Sequence, residues 1–156
     1  MKKVYKYKEN RKLTIGETYN FWIIKKLKLP DGVEYFVIMD PYNEKHLLPT
    51  KFYKHYDIKI QNLYPCKVDR VNCQGRLFFE PVHPFYKVDN TYSFCFKKFD
   101  FLLSKKGIMT EYFIMTGETG ETAYLLFEPN LKLLKGLYEK YKIIKIRKAK
   151  IFIQRS

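Results

Sequence analysis

The sequence predicts an all-β chain with short helices, arranged as two consecutive modules of five strands. Three observations carry this. Of 156 residues, 14 are Tyr, 13 are Phe and one is Trp, and large aromatic and β-branched side chains suit the half-buried pleated surface of a strand. They come in runs broken by Pro, Gly, Asn and Asp, not at the 3.6-residue period of an amphipathic helix. The runs also recur once along the chain in the same order, which is the mark of an internal repeat.

Tyr19-Asn20-Phe21-Trp22-Ile23-Ile24-Lys25-Lys26 has its counterpart 73 residues on, in Tyr92-Ser93-Phe94-Cys95-Phe96-Lys97-Lys98-Phe99. Glu34-Tyr35-Phe36-Val37-Ile38-Met39 matches Glu111-Tyr112-Phe113-Ile114-Met115 at an offset of 77, and His46-Leu47-Leu48 matches Tyr124-Leu125-Leu126 at 78. Arg76-Leu77-Phe78-Phe79-Glu80 aligns with Lys150-Ile151-Phe152-Ile153-Gln154 at 74. The offsets drift as loops lengthen and shorten. The expected domains are 1–84, with a basic lead-in, and 85–156, joined where Pro81 and Pro84 end strands and stiffen the chain.

In the first module, residues 19–29 form a strand stopped by Pro30-Asp31-Gly32, where proline sets φ and glycine is free to take φ > 0. Residues 34–40 make the second strand, and Pro41-Tyr42-Asn43-Glu44 turns the chain into a short third at 45–48. Residues 64–72 and 76–80 pair as a hairpin across Cys73-Gln74-Gly75. Between the third and fourth strands, 49–62 is the place for a short helix. Its equivalent, 129–140, has leucines at helical spacing behind Asn130, a residue that can cap. Near the C-terminus Ile144 and Ile146 alternate with Lys145 and Arg147, which predicts a strand with one buried and one basic face.

Three strands, a connecting segment and a closing hairpin is the order of the OB-fold, a five-stranded barrel that binds oligonucleotides or oligosaccharides. The residues of the first module resemble the S1 type of OB-fold RNA-binding domain. The likeness runs through Gly16-Glu17-Thr18-Tyr19, Tyr35-Phe36-Val37-Ile38, His46-Leu47-Leu48-Pro49 and the stretch from Cys66 to Pro81 that includes Val68-Asp69-Arg70-Val71. It is weaker in the second module, whose closing strands lack the Asp and the Gly turn. The resemblance implies two tandem five-stranded OB-like barrels.

In S1 and cold-shock domains, aromatics of the second and third strands stack on bases while lysines and arginines meet the phosphates. Carried over by position, the first module offers Tyr35 and Phe36, His46, and the cations Lys25 and Lys26. The second offers Tyr112 and Phe113, Tyr124, and Lys97 and Lys98. Neighbouring strand residues point to opposite faces, so one member of each Tyr–Phe pair belongs to the core.

The formal charge is +14, and it is unevenly placed. Residues 1–28 carry nine basic and two acidic side chains, residues 132–156 nine basic and one acidic, and residues 29–131 are near neutral. A field of this size suggests a polyanionic partner. With Lys145 and Arg147 as its C-terminal cations, the expected function is non-enzymatic binding of single-stranded RNA or DNA, RNA before DNA. The competing expectation is a protein-interaction module for an acidic partner. No phosphate loop, dinucleotide glycine pattern or nucleophile elbow occurs. The spacing of Cys66, Cys73 and His83 matches no zinc pattern. No metal, cofactor or catalytic residue is therefore expected. No apolar run reaches the roughly 20 residues of a membrane helix, and neither a membrane partner nor a secretory signal is expected, which makes a cytoplasmic location the default.

Overall fold

The structure, a computed structural model, describes residues 12–156. The chain divides into two compact units, Met1–Pro84 and Phe85–Ser156. Each is a five-stranded sheet, and the all-β class is as the sequence predicts.

Unit 1 contains β1 (Thr18–Lys28), β2 (Glu34–Met39), β3 (Lys45–Pro49), β4 (Leu63–Val71) and β5 (Leu77–Pro81). Their hydrogen-bonded order is β3-β2-β1-β4-β5, so β1 is central and the sheet is open between β3 and β5. Side chains span that opening: His46 on β3 lies 4.8 Å from the ring of Phe79 on β5. Phe21, Ile23, Ile38, Leu48, Cys66 and Val68 form the inward face and are all but fully buried. The turn at residues 29–33 closes through Leu29 N–H to Val33 O and Gly32 N–H to Leu29 O.

Unit 2 contains β6 (Thr91–Leu103), β7 (Met109–Gly117), β8 (Thr122–Leu126), β9 (Tyr138–Arg147) and β10 (Lys150–Arg155). Here the same order closes on itself as a ring, β10-β8-β7-β6-β9, because β10 pairs in parallel with β8 and antiparallel with β9. The core collects Phe94, Phe96, Phe113, Met115, Leu125, Tyr141, Ile143, Ile151 and Ile153.

The units share irregular details as well as strand order. In each, the first strand has a bulge, at Ile23/Lys25 in β1 and at Phe96/Lys98 in β6. In each, a tyrosine hydroxyl on the first strand accepts a backbone N–H five residues upstream, Thr14 to Tyr19 at 2.9 Å and Lys87 to Tyr92 at 3.0 Å. One position diverges for a steric reason. A Cβ at Gly117 would run into the hydroxyl of Tyr86, whereas unit 1 carries Asp40 at the matching turn.

Neither expected helix forms, and no helix occurs among the described residues. In 49–62, successive turns link Tyr53 N–H to Thr50 O and Tyr56 N–H to Tyr53 O. This drives both tyrosines into the core, and left-handed backbone at Asp57 and Gln61 prevents propagation. In the second segment Leu131 and Leu133 pack against the core while Lys132 and Leu134 face out. That period of two is extended chain, and a bridge from Lys135 to Phe96 anchors it. The helical spacing of the leucines yields to tertiary packing, as a weak local propensity does. No helix is long and apolar enough to cross a membrane.

Candidate nucleic-acid interface

In unit 2 the strand registers carry one row of side chains across the outer face. Lys98 on β6 lies opposite Ile114 on β7, Ile114 opposite Tyr124 on β8, Tyr124 opposite Phe152 on β10, and Phe152 opposite Lys145 on β9. Directly opposed residues share a face. Because Phe113, Leu125, Ile151 and Ile153 fill the core, the alternating neighbours Tyr112, Tyr124 and Phe152 must face outward.

Those three rings form a cluster. Tyr112 and Tyr124 lie 5.8 Å apart, Tyr124 and Phe152 5.6 Å, and Tyr112 and Phe152 5.9 Å. Lys145 Nζ sits 4.6 Å from the Phe152 ring centroid, a cation–π contact. Arg147 and Lys150, opposed across the closing hairpin on the same face, continue the basic border. At the other end Lys98 contacts Asp100 at 3.8 Å, both half-exposed. Burial, with Asp100 as a secondary cause, raises the Tyr124 hydroxyl above its usual range, so it is neutral at physiological pH. The surface is therefore apolar and aromatic in the middle and cationic at its rim, which is the chemistry that stacks bases and follows a phosphate backbone.

Unit 1 has only part of this arrangement. Tyr35 faces outward, between Leu27 on β1 and Pro49 on β3, and Lys25 opposes Val37 on the same face. A cation–aromatic station recurs at the closing hairpin, where the Arg70 guanidinium lies 4.3 Å and that of Arg76 5.3 Å from the Phe78 ring centroid. Phe152 in the unit 2 row and Phe78 at the matching position of unit 1 are not among the residues the S1 resemblance points to. Their alternation with core residues, as in Ile151-Phe152-Ile153, was the available signal.

Several expected positions are displaced. Phe36 and Phe113 are 5% and 1% exposed and belong to the two cores, so each Tyr–Phe pair presents its tyrosine. Lys26 falls on the side of Phe36, 5.7 Å from that ring, and Lys97 is the bulged residue of β6, opposite nothing on β7.

His46 is a clearer correction. It opposes Ile38, which is fully buried, whereas Tyr124 opposes Ile114, the equivalent of Val37. The residue that occupies the position of Tyr124 in unit 1 is thus Leu47, at an offset of 77 rather than 78. A one-residue slip moves a side chain to the other face of the sheet. His46 turns inward, where Nε2 meets Asp40 Oδ2 at 2.9 Å.

Asp40, Glu44 and His46 do bring ligand-type atoms within 4.8 Å of one another. The Asp40 carboxylate is already engaged, with Oδ1 accepting the N–H groups of Tyr42 and Glu44 and Oδ2 holding His46. The group shapes the β2–β3 turn. Of the basic N-terminal lead-in, Lys2, Lys3, Lys6, Lys8 and Arg11 lie outside the described residues.

No protein-family model matches the chain, and no curated protein matches it.

Proposed function

We propose that the protein binds single-stranded nucleic acid without catalysis, chiefly through the outer face of unit 2. The observation that carries this reading is the Tyr112–Tyr124–Phe152 cluster with Lys145 against one edge. Bases stack on the rings, and Lys98, Lys145, Arg147 and Lys150 meet the phosphates. Every base has a π face, so sequence preference is weak. The shared strand order, with parallel closure of β8 on β10, supports reading both units as OB-like, the S1 or cold-shock kind. RNA ahead of DNA follows from the S1 resemblance of the first module. Unit 1 contributes Tyr35 and the Arg70–Phe78–Arg76 station.

The experiment is fluorescence anisotropy with labelled single-stranded RNA and DNA across a salt series. Binding should weaken steeply as salt rises, by about 0.7 in log–log slope for each phosphate neutralised. Absence of binding at low salt would eliminate the proposal.

A further inference from the structure

The β6–β7 hairpin of unit 2 is longer than its counterpart in unit 1, and its composition is opposite. Past the bulge, β1 continues through Lys25, Lys26, Leu27 and Lys28, while β6 continues through Lys98 to Leu103. The positions of Lys26 and Lys28 are taken by Phe99 and Phe101. On that face Phe99 opposes Phe113, Phe101 opposes Glu111, and Leu103 opposes Met109. Phe99, Phe101, Leu103 and Met109 are each at least half exposed, as is Ile108 at the turn.

The same arm has an open edge. β9 pairs with β6 only from Thr91 to Cys95, and a bridge at Phe96 follows. Among the described residues no strand pairs with 97–103 on that side. The Phe101 N–H turns to the Asp100 carboxylate at 2.8 Å. A free, apolar strand edge recruits another strand, and lysines are a common way of preventing that. Unit 1 has such lysines. Gln61 also covers its edge, through its own N–H to Ile23 O and its side chain to Ile24 O. In unit 2 the lysines stop at Lys97 and Lys98 at the base of the arm, and Phe99 to Leu103 carry none.

We propose that the β6 edge at 97–103 is a dimer contact, pairing antiparallel with the same edge of a second copy. Three features select a second copy over other occupants. Antiparallel pairing about a two-fold axis is self-complementary. It also directs the tip of each arm toward segment 131–138 of the other copy, where Leu134 and Leu137 are exposed beside the Phe96 bridge. Each exposed apolar group then covers the other. Covering the arm's five apolar side chains in both copies removes on the order of 1,200 Å², the lower bound for a specific interface. The charged side chain opposed on that face is Glu111, and the lysines of the arm, Lys97, Lys98, Lys105 and Lys106, lie at its base and turn, off the apolar face.

Sedimentation-velocity ultracentrifugation from micromolar to submillimolar protein, at low and high salt, tests this. A monomer–dimer equilibrium is expected, and it should strengthen with salt because two chains of charge +14 repel each other. Nucleic-acid binding has the opposite salt dependence, so the two proposals fail separately. Phe101→Lys, which restores the lysine that unit 1 carries at Lys28, together with Leu103→Lys nearer the tip, should weaken dimerisation by roughly tenfold or more. Both residues lie out on the arm, and an unchanged circular dichroism spectrum checks the fold. On the unmutated protein, hydrogen exchange of amides in 97–103 should slow as concentration rises. A monomer at every concentration, open-ended oligomers, or a dimer that survives the double substitution with unchanged exchange would overturn the proposal.

Discussion

Removing the Tyr124 ring is the most direct probe of the outer-face platform. Tyr124 is one corner of the three-ring cluster, 5.8 Å from Tyr112 and 5.6 Å from Phe152. In Tyr124→Ala, one stacked base loses about 1–3 kcal/mol, which is roughly a 5- to 150-fold rise in Kd. The ring also shields Ile114, which it opposes across the ladder. A half-buried aromatic covers on the order of 100 Å², so at about 25 cal/mol/Å² the folding cost is about 2.5 kcal/mol. That upper estimate leaves an ordinary domain folded. Anisotropy with a labelled single-stranded RNA measures the first effect and urea titration the second. Tyr124→Phe keeps the ring and should bind within about twofold of the parent. His46→Ala supplies the contrast, because it strips the buried Asp40 Oδ2 of its partner and leaves only the backbone contacts of Oδ1. It should lower stability by about 1–3 kcal/mol while leaving RNA affinity unchanged. If folded Tyr124→Ala binds as tightly as the parent, the platform is elsewhere. If His46→Ala loses binding at full stability, the inward assignment of His46 is wrong.

The remaining predictions concern charge, register and pH. Lys145→Ala should lower affinity and flatten the log–log salt slope by about 0.7, one phosphate contact on a single strand; an unchanged slope would remove Lys145 from the interface. Leu47→Tyr installs in unit 1 the ring that unit 2 carries at Tyr124, and should tighten RNA binding severalfold by anisotropy, whereas weaker binding would contradict the offset of 77. Burial raises the tyrosines of both units, Tyr64 and Tyr86 to about 12 and Tyr53 and Tyr56 further. Between the ordinary tyrosine value of about 10 and these raised values, the unfolded chain has released protons that the folded chain retains. Stability should therefore be full below about pH 10 and fall as pH climbs toward 12, and a urea midpoint that stays level from pH 9 to 11 would refute this.

Much of the fold was legible because strand runs and turns are local. In unit 1 the sequence places strands at 19–29, 34–40, 45–48, 64–72 and 76–80, and the structure has Thr18–Lys28, Glu34–Met39, Lys45–Pro49, Leu63–Val71 and Leu77–Pro81. The helix expected in 129–140 does not form because leucine spacing in 131–137 satisfies a helix only locally, while burial of Leu131 and Leu133 holds the segment extended. Of the candidate site residues, Lys98, Tyr112, Tyr124, Lys145 and Arg147 come to one outer face. Phe36 and Phe113 could not be told from their tyrosine neighbours, since Tyr35-Phe36 and Tyr112-Phe113 are alike in chemistry and only the direction of the pleat separates them.

The sequence by itself therefore determined the all-β class, the order of the strands and the concentration of cations in the last 25 residues, because each depends on composition or on patterns a few residues long. Tertiary structure alone decided which ring of each pair faces out, that His46 turns toward Asp40, and that Phe152 completes the cluster. It also decided that the sheet of unit 2 closes where that of unit 1 stays open. Those outcomes rest on register between strands far apart in the chain. A shift of one residue there reverses the face of every side chain while leaving the local pattern untouched.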